Sequence, residues 1–219
     1  MLGLLAFASL TVREHAPRRS TSFFLPEAFK NPPYVLVSVG FFASLFGFWT
    51  PIFFSSSLAI SHGLSPSTAL AQLAVLNAGS FFGRTLPNYL AVKTGAFNMY
   101  MLMCACTSIM LFCWTAATSS AGIYAYNAFY GLFCGALVSL ASPCLAQVCP
   151  RPSEIGTYIG MGLAFCSLGG LAGTPVNGAL IARHGFLSAS MFSAVMVLIG
   201  TGCVLAARLH LERSIFVKI

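Results

Sequence analysis

The sequence contains no aspartate and only four glutamates, Glu14, Glu27, Glu154 and Glu212, all outside its long apolar runs. Charged residues make up 7% of the chain, against about 25% in an ordinary soluble domain. This poverty excludes paired carboxylates, a Ser-His-Asp set and a hard-cation cage. It also leaves the apolar runs without a carboxylate to carry a proton. His15, His62, His184 and His210 fall in loops or at the ends of runs, and no glycine-rich phosphate cradle is present. Eight cysteines occur, but Cys104-x-Cys106 has neither the spacing nor the histidine partners of a zinc site. The cysteines read as free thiols that pack as small hydrophobes. No catalytic activity, metal or cofactor is expected.

What the chain has in excess is apolar length. It is 58% hydrophobic, more than a soluble core of this size can hide. Six apolar runs cover roughly 34–60, 68–92, 97–117, 122–147, 155–181 and 187–207. Each meets the roughly 20 helical residues needed to cross a bilayer core about 30 Å thick. The runs are continuous rather than alternating, which selects helices over a barrel. The expected fold is an all-α membrane protein, a six-transmembrane-helix bundle. Threading the chain through these runs sorts the eleven lysines and arginines. Arg13, Arg18, Arg19, Lys30, Arg84, Lys93, Arg151, Arg208, Arg213 and Lys218 land on one side, and Arg183 alone on the other. The cation-rich side is cytoplasmic, so both termini are expected in the cytoplasm. The net charge of +7 follows from this topology, and nucleic acid is not expected as a partner.

Residues 1–12 are apolar but, at about 18 Å of helix, too short to span. They read as the end of a truncated preceding transmembrane helix. Residues 13–33 are the most charged stretch of the chain, carry four prolines, Pro17, Pro26, Pro32 and Pro33, and read as a cytoplasmic linker. The transmembrane domain is expected over 34–207, and a cytoplasmic tail over 208–219.

Glycines recur four apart at Gly79 and Gly83, Gly131 and Gly135, Gly156 and Gly160, and Gly169 and Gly173. This spacing lets helix backbones approach closely in lipid. It serves either static packing or rocking of the fifth helix. Polar residues inside the runs are few. Asn77, Ser80 and Arg84 lie three and four apart and share one helix face. Arg84 falls about 25 Å below the outer end of its helix. It is readable as a snorkelling side chain, an inner-gate residue or a binder of an anionic substrate. Asn127 and Tyr130 lie close on the fourth helix, and Trp49 could wall a pocket on the first. The aromatics serve packing or an interfacial belt equally well.

The run NAGSFFGRTLPNYLAVKTGAFN, residues 77–98, resembles the helix-loop-helix signature of monocarboxylate-porter-type carriers of the major facilitator superfamily, in their fungal branch. Residues 155–181 continue the likeness, with Ile155, Gly156 and Thr157 at the start and Gly173, Pro175, Gly178, Ala179 and Leu180 at the end. The leader at 24–42 is similar to the stretch entering the seventh helix of such carriers. The resemblance covers 24–207 and implies the C-terminal half, helices seven to twelve, of a twelve-helix fold. It places an inner gate at Gly83, Arg84, Lys93 and Gly95. Animal members carry an aspartate where Ser80 stands, so the resemblance assigns no proton carrier here. Val92, Ala96 and Tyr158 stand where the family usually has gate charges.

The resemblance implies a secondary active transporter, here a fragment, moving a small organic anion such as a monocarboxylate by alternating access. Arg84 would meet the anion, Asn77, Ser80 and Asn127 would hydrogen-bond it, and Trp49 and Tyr130 would line the cavity. The partners would be the lipid bilayer, the substrate with or without a proton, and a missing N-terminal six-helix half. The chain would be multi-pass in the plasma membrane. The alternative is a truncated, non-transporting membrane protein, a gene remnant or the partner of another half-carrier.

Overall fold

Every long element in the computed structural model, which describes residues 24–211, is a helix. They are α1 (Pro32–Phe48), α2 (Thr50–Ser61), α3 (Pro66–Thr94), α4 (Ala96–Phe112), α5 (Ser120–Gln147), α6 (Ile155–His184) and α7 (Phe186–Leu211). The expected remnant of a span at 1–12, about half of the linker and two thirds of the tail lie outside the described residues.

The helix ends follow local chemistry. Ser65 caps α3 by accepting from the Thr68 backbone N–H, and Pro66 occupies the first turn, where its missing N–H goes unmissed. Ser119 caps α5 through the Gly122 N–H. Gly95, at φ 90°, turns the chain from α3 into α4, and Gly185, at φ 81°, turns it from α6 into α7. A side chain would be strained at either position.

Among the described residues, four segments are long and apolar enough to cross a membrane: Pro32–Ser61, Ser120–Gln147, Pro152–His184 and Phe186–Leu211. The other two expected spans complete the bundle differently. Helix α3 has the length, at 29 residues, but a more polar sequence. Helix α4 is apolar but 17 residues long, and a 3-10 turn at Trp114–Ala116 extends it. The first span is not continuous, because α1 and α2 are separated by a turn at Trp49. Pro51 has no N–H to donate back into the preceding turn, which breaks the ladder there.

Helix α3 packs along α5, α1 packs against α6 and α7, and α4 is held between α5 and α7. Glycine makes the first two contacts intimate. A methyl at Gly79 or Gly83 would overlap the carbonyls of Ala128 and Leu132 on α5. A methyl at Gly131 or Gly135 would overlap those of Leu76 and Ser80 on α3. On the other side, Gly169 and Gly173 of α6 stand in the same way against Phe42 and Phe46 of α1. Three of the four glycine pairs therefore form close crossings. Gly156 and Gly160 do not, since open space surrounds both.

The two crossings are copies. Gly79, Gly83 and Gly95 are followed at an interval of 90 residues by Gly169, Gly173 and Gly185. The bundle is thus two three-helix units of one plan, the first built from α1–α4 and the second from α5–α7.

The leader before α1 is docked on the bundle. Ala28 is fully buried, Asn31 Nδ2 donates to Val148 O at 3.2 Å, and the Tyr34 hydroxyl donates to Tyr158 O at 3.0 Å. Arg151 and Glu154 pair at 2.9 Å in the neighbouring α5–α6 loop.

Candidate functional site

The break at Trp49 organises the polar interior. In an unbroken helix each carbonyl is taken by the N–H four residues on. Around the break, side chains of neighbouring helices reach the backbone instead. The Tyr130 hydroxyl of α5 donates to Phe48 O at 2.6 Å. Asn177 Nδ2 of α6 donates to Phe46 O at 3.2 Å and to Gly173 O at 2.9 Å. Asn177 Oδ1 accepts from Ser193 Oγ at 3.0 Å, which leaves Ser193 to accept from Thr50 Oγ1 at 2.7 Å. One chain of hydrogen bonds thus joins α2, α7, α6 and α1. Tyr130 ties α5 to the same turn.

A second chain ties α5 to α3 and α2. Asn127 Nδ2 donates to Gln72 Oε1 at 2.9 Å and to Ile123 O at 2.8 Å. Gln72 Nε2 reaches Ser56 Oγ at 3.4 Å, and Ser56 donates to Ala69 O at 3.0 Å. Buried polar groups are held in this way because an orphan costs more than the bond contributes.

These contacts sort the residues singled out from the sequence. Asn77, Ser80 and Arg84 do share a face of α3. Arg84 Nε lies 3.5 Å from Ser80 Oγ, Asn77 Nδ2 donates to Leu73 O at 2.8 Å, and both Asn77 and Arg84 are exposed. Asn127 and Tyr130 are buried, and the hydrogen bonds above go to protein partners, so neither joins Arg84 on that exposed face. Trp49 is half-buried at the break, its indole nitrogen over Gly170 of α6. Gly83 is sealed against Leu132, Gly95 forms the α3–α4 turn, and Lys93 Nζ stands 5.8 Å from the Tyr89 ring centroid.

Asn177 and Gln72 are not among the site residues expected from the sequence. The signal for the break was Pro51, lying two residues beyond Trp49 inside an apolar run. A Tyr130→Phe variant removes the one hydroxyl on Phe48 O. It is expected to lower stability by about 1 kcal/mol in a thermal melt of the detergent-solubilised chain.

Beside the break, α1, α5 and α6, with Tyr100 of α4, line a part-open cavity of about 190 Å³ whose wall is almost wholly apolar. A shallower depression of about 620 Å³ lies across Trp49, between the first span and α6.

No protein-family model matches the chain. Three curated relatives show its kinship. It is 38% identical to the aspyridones efflux protein of Emericella nidulans over 91% of this chain and 41% of the relative. It is 35% identical to the agnestins efflux protein of Paecilomyces divaricatus over 100% of this chain and 51% of the relative. It is 34% identical to an MFS-type transporter of Penicillium oxalicum over 97% of this chain and 51% of the relative. The chain spans about half the length of the curated relatives it matches. With its membrane-capable helices, glycine crossings and these relatives, the chain belongs to the major facilitator superfamily, as a multi-pass membrane bundle of the fungal kind.

Proposed function

We propose that this chain is the C-terminal half of a secondary active transporter that moves small organic compounds by alternating access. The reading is supported by a bundle of two three-helix units whose α3 keeps an exposed face. That face bears Arg84, Asn77 and the large apolar residue Phe81. A second six-helix half laid against it would enclose the permeation pathway between the two, as in carriers built from repeats. Both termini would face the cytoplasm and the carrier would lie in the plasma membrane. Two of the relatives above are named as efflux proteins, which favours export as the direction.

The observation that carries a substrate role is Arg84, a guanidinium on an exposed face of an interior helix stretch. A guanidinium forks onto a carboxylate, so an organic anion of the monocarboxylate type is the charge class it would meet. Ser80 helps orient it, and Asn77 stands a turn further along the same face. In the intact carrier reconstituted in liposomes, Arg84→Ala is expected to reduce anion flux at least a hundredfold, and Arg84→Lys to retain part of it. Flux unchanged by Arg84→Ala would remove Arg84 from the pathway.

A further inference from the structure

We propose that the cavity between α1, α5 and α6 is a ligand slot for a single aryl ring, formed entirely within this chain. The inference rests on the transport reading for its purpose but not for its geometry. Its floor is Phe41 and Tyr100, 2% and 3% exposed, with ring centroids 4.6 Å apart. Phe48 and Trp49 form one wall, edge to face at 5.1 Å. Val138 of α5 and Leu163 of α6, each 40% exposed, flank the mouth.

Size selects the ligand. An apolar void of about 150 Å³ stays dry and takes up benzene. At about 190 Å³ the slot holds one ring with a small substituent. The wall chemistry points the same way. No charged residue lines the slot. Ser44 Oγ is committed to Gly40 O at 2.9 Å, and Cys166 Sγ to Ser38 O at 3.7 Å. A hydrated carboxylate would lose its water there and find no cation, with only the Trp49 indole N–H and the Tyr100 hydroxyl as donors. A ring would meet aromatic faces and edges in the arrangements that rings prefer. The transported compound therefore anchors by an aryl group inside the half bundle. Any charged or polar part stays outside the mouth.

The test uses the purified chain in detergent with 4-bromobenzyl alcohol, whose bromine quenches indole emission. Trp114 is the other tryptophan, so Trp114→Phe leaves Trp49 as the sole reporter. Saturable quenching is expected, displaced by benzyl alcohol and not by acetate. Val138→Phe and Leu163→Phe, which add bulk at the mouth, should each weaken it at least tenfold. Because Trp114 is buried, equilibrium dialysis of radiolabelled benzyl alcohol against the unmodified chain gives the same answer without that substitution. Quenching that rises linearly with probe, or equal affinity in both mouth variants, would overturn the slot. Saturable binding by a chain whose intact carrier moves no aryl compound would leave the slot standing and remove the transport reading. Aryl flux untouched by Val138→Phe would do the reverse.

Discussion

Gly83→Leu is expected to leave little folded protein, while Gly156→Ala is expected to fold as well as the unaltered chain or slightly better. The two glycines look alike in sequence, each four residues from another. Their surroundings differ. A β-carbon at Gly83 would overlap the Leu132 carbonyl and backbone of α5, whereas one at Gly156 meets nothing within 4 Å. Overpacking costs roughly 1–3 kcal/mol in cores where side chains can move aside. At Gly83 the obstacle is a helix backbone, so the cost lies at or beyond the top of that range. Folded domains hold roughly 5–15 kcal/mol in all. The neighbouring contacts of Gly79, Gly131 and Gly135 would open together with it. At Gly156 the only change is the helix preference for alanine, worth roughly 0.5–1 kcal/mol. Thermal unfolding and size-exclusion profiles in detergent read both. Similar melting temperatures for the two variants would mean that the α3–α5 crossing is not tight.

Asn177→Leu is the second substitution expected to act strongly. The asparagine is fully buried and reaches α1 and α7 from α6. Leucine has similar volume but leaves the Phe46 carbonyl and the Ser193 hydroxyl short of a partner. An unsatisfied buried group costs roughly 1–3 kcal/mol, and interhelical hydrogen bonds in bilayers average about 0.6 kcal/mol. With three bonds lost, a destabilisation of roughly 2 kcal/mol is expected. Ser193→Ala alone should cost about half as much. The double variant should cost less than the two singles summed, because both remove the same bond. Strictly additive melting shifts would show that the Asn177–Ser193 bond contributes nothing to the association of α6 with α7.

Much of the fold was legible because hydropathy and helix punctuation are local. The expected runs at 122–147 and 187–207 became Ser120–Gln147 and Phe186–Leu211, moved a few residues by a serine cap and a glycine turn. The run at 34–60 hid the break at Trp49, because apolar residues continue through it and hydropathy does not register a missing N–H. The site was harder to read. Periodicity placed Asn77, Ser80 and Arg84 on one face correctly, but it does not say what that face meets. Asn127 and Tyr130 stood out as polar groups in apolar surroundings. Their hydrogen-bond partners Gln72 and Phe48 lie 55 and 82 residues away in the chain, and no local pattern reveals such pairings. Of the apolar slot only Trp49 stood out in the sequence, since Phe41, Val138 and Leu163 look like any other membrane residues.

The paired glycine crossings restrict how this bundle can deform. At each, a carbonyl of one helix is lodged against the bare α-carbon of another. Sliding along the helix axis would drive that oxygen into the next residue's side chain. Tilting about the point of contact meets no such obstacle. The crossings therefore act as two fulcrums between the three-helix units, α3 on α5 and α6 on α1, and their shared glycine spacing makes a tilt at one geometrically available at the other.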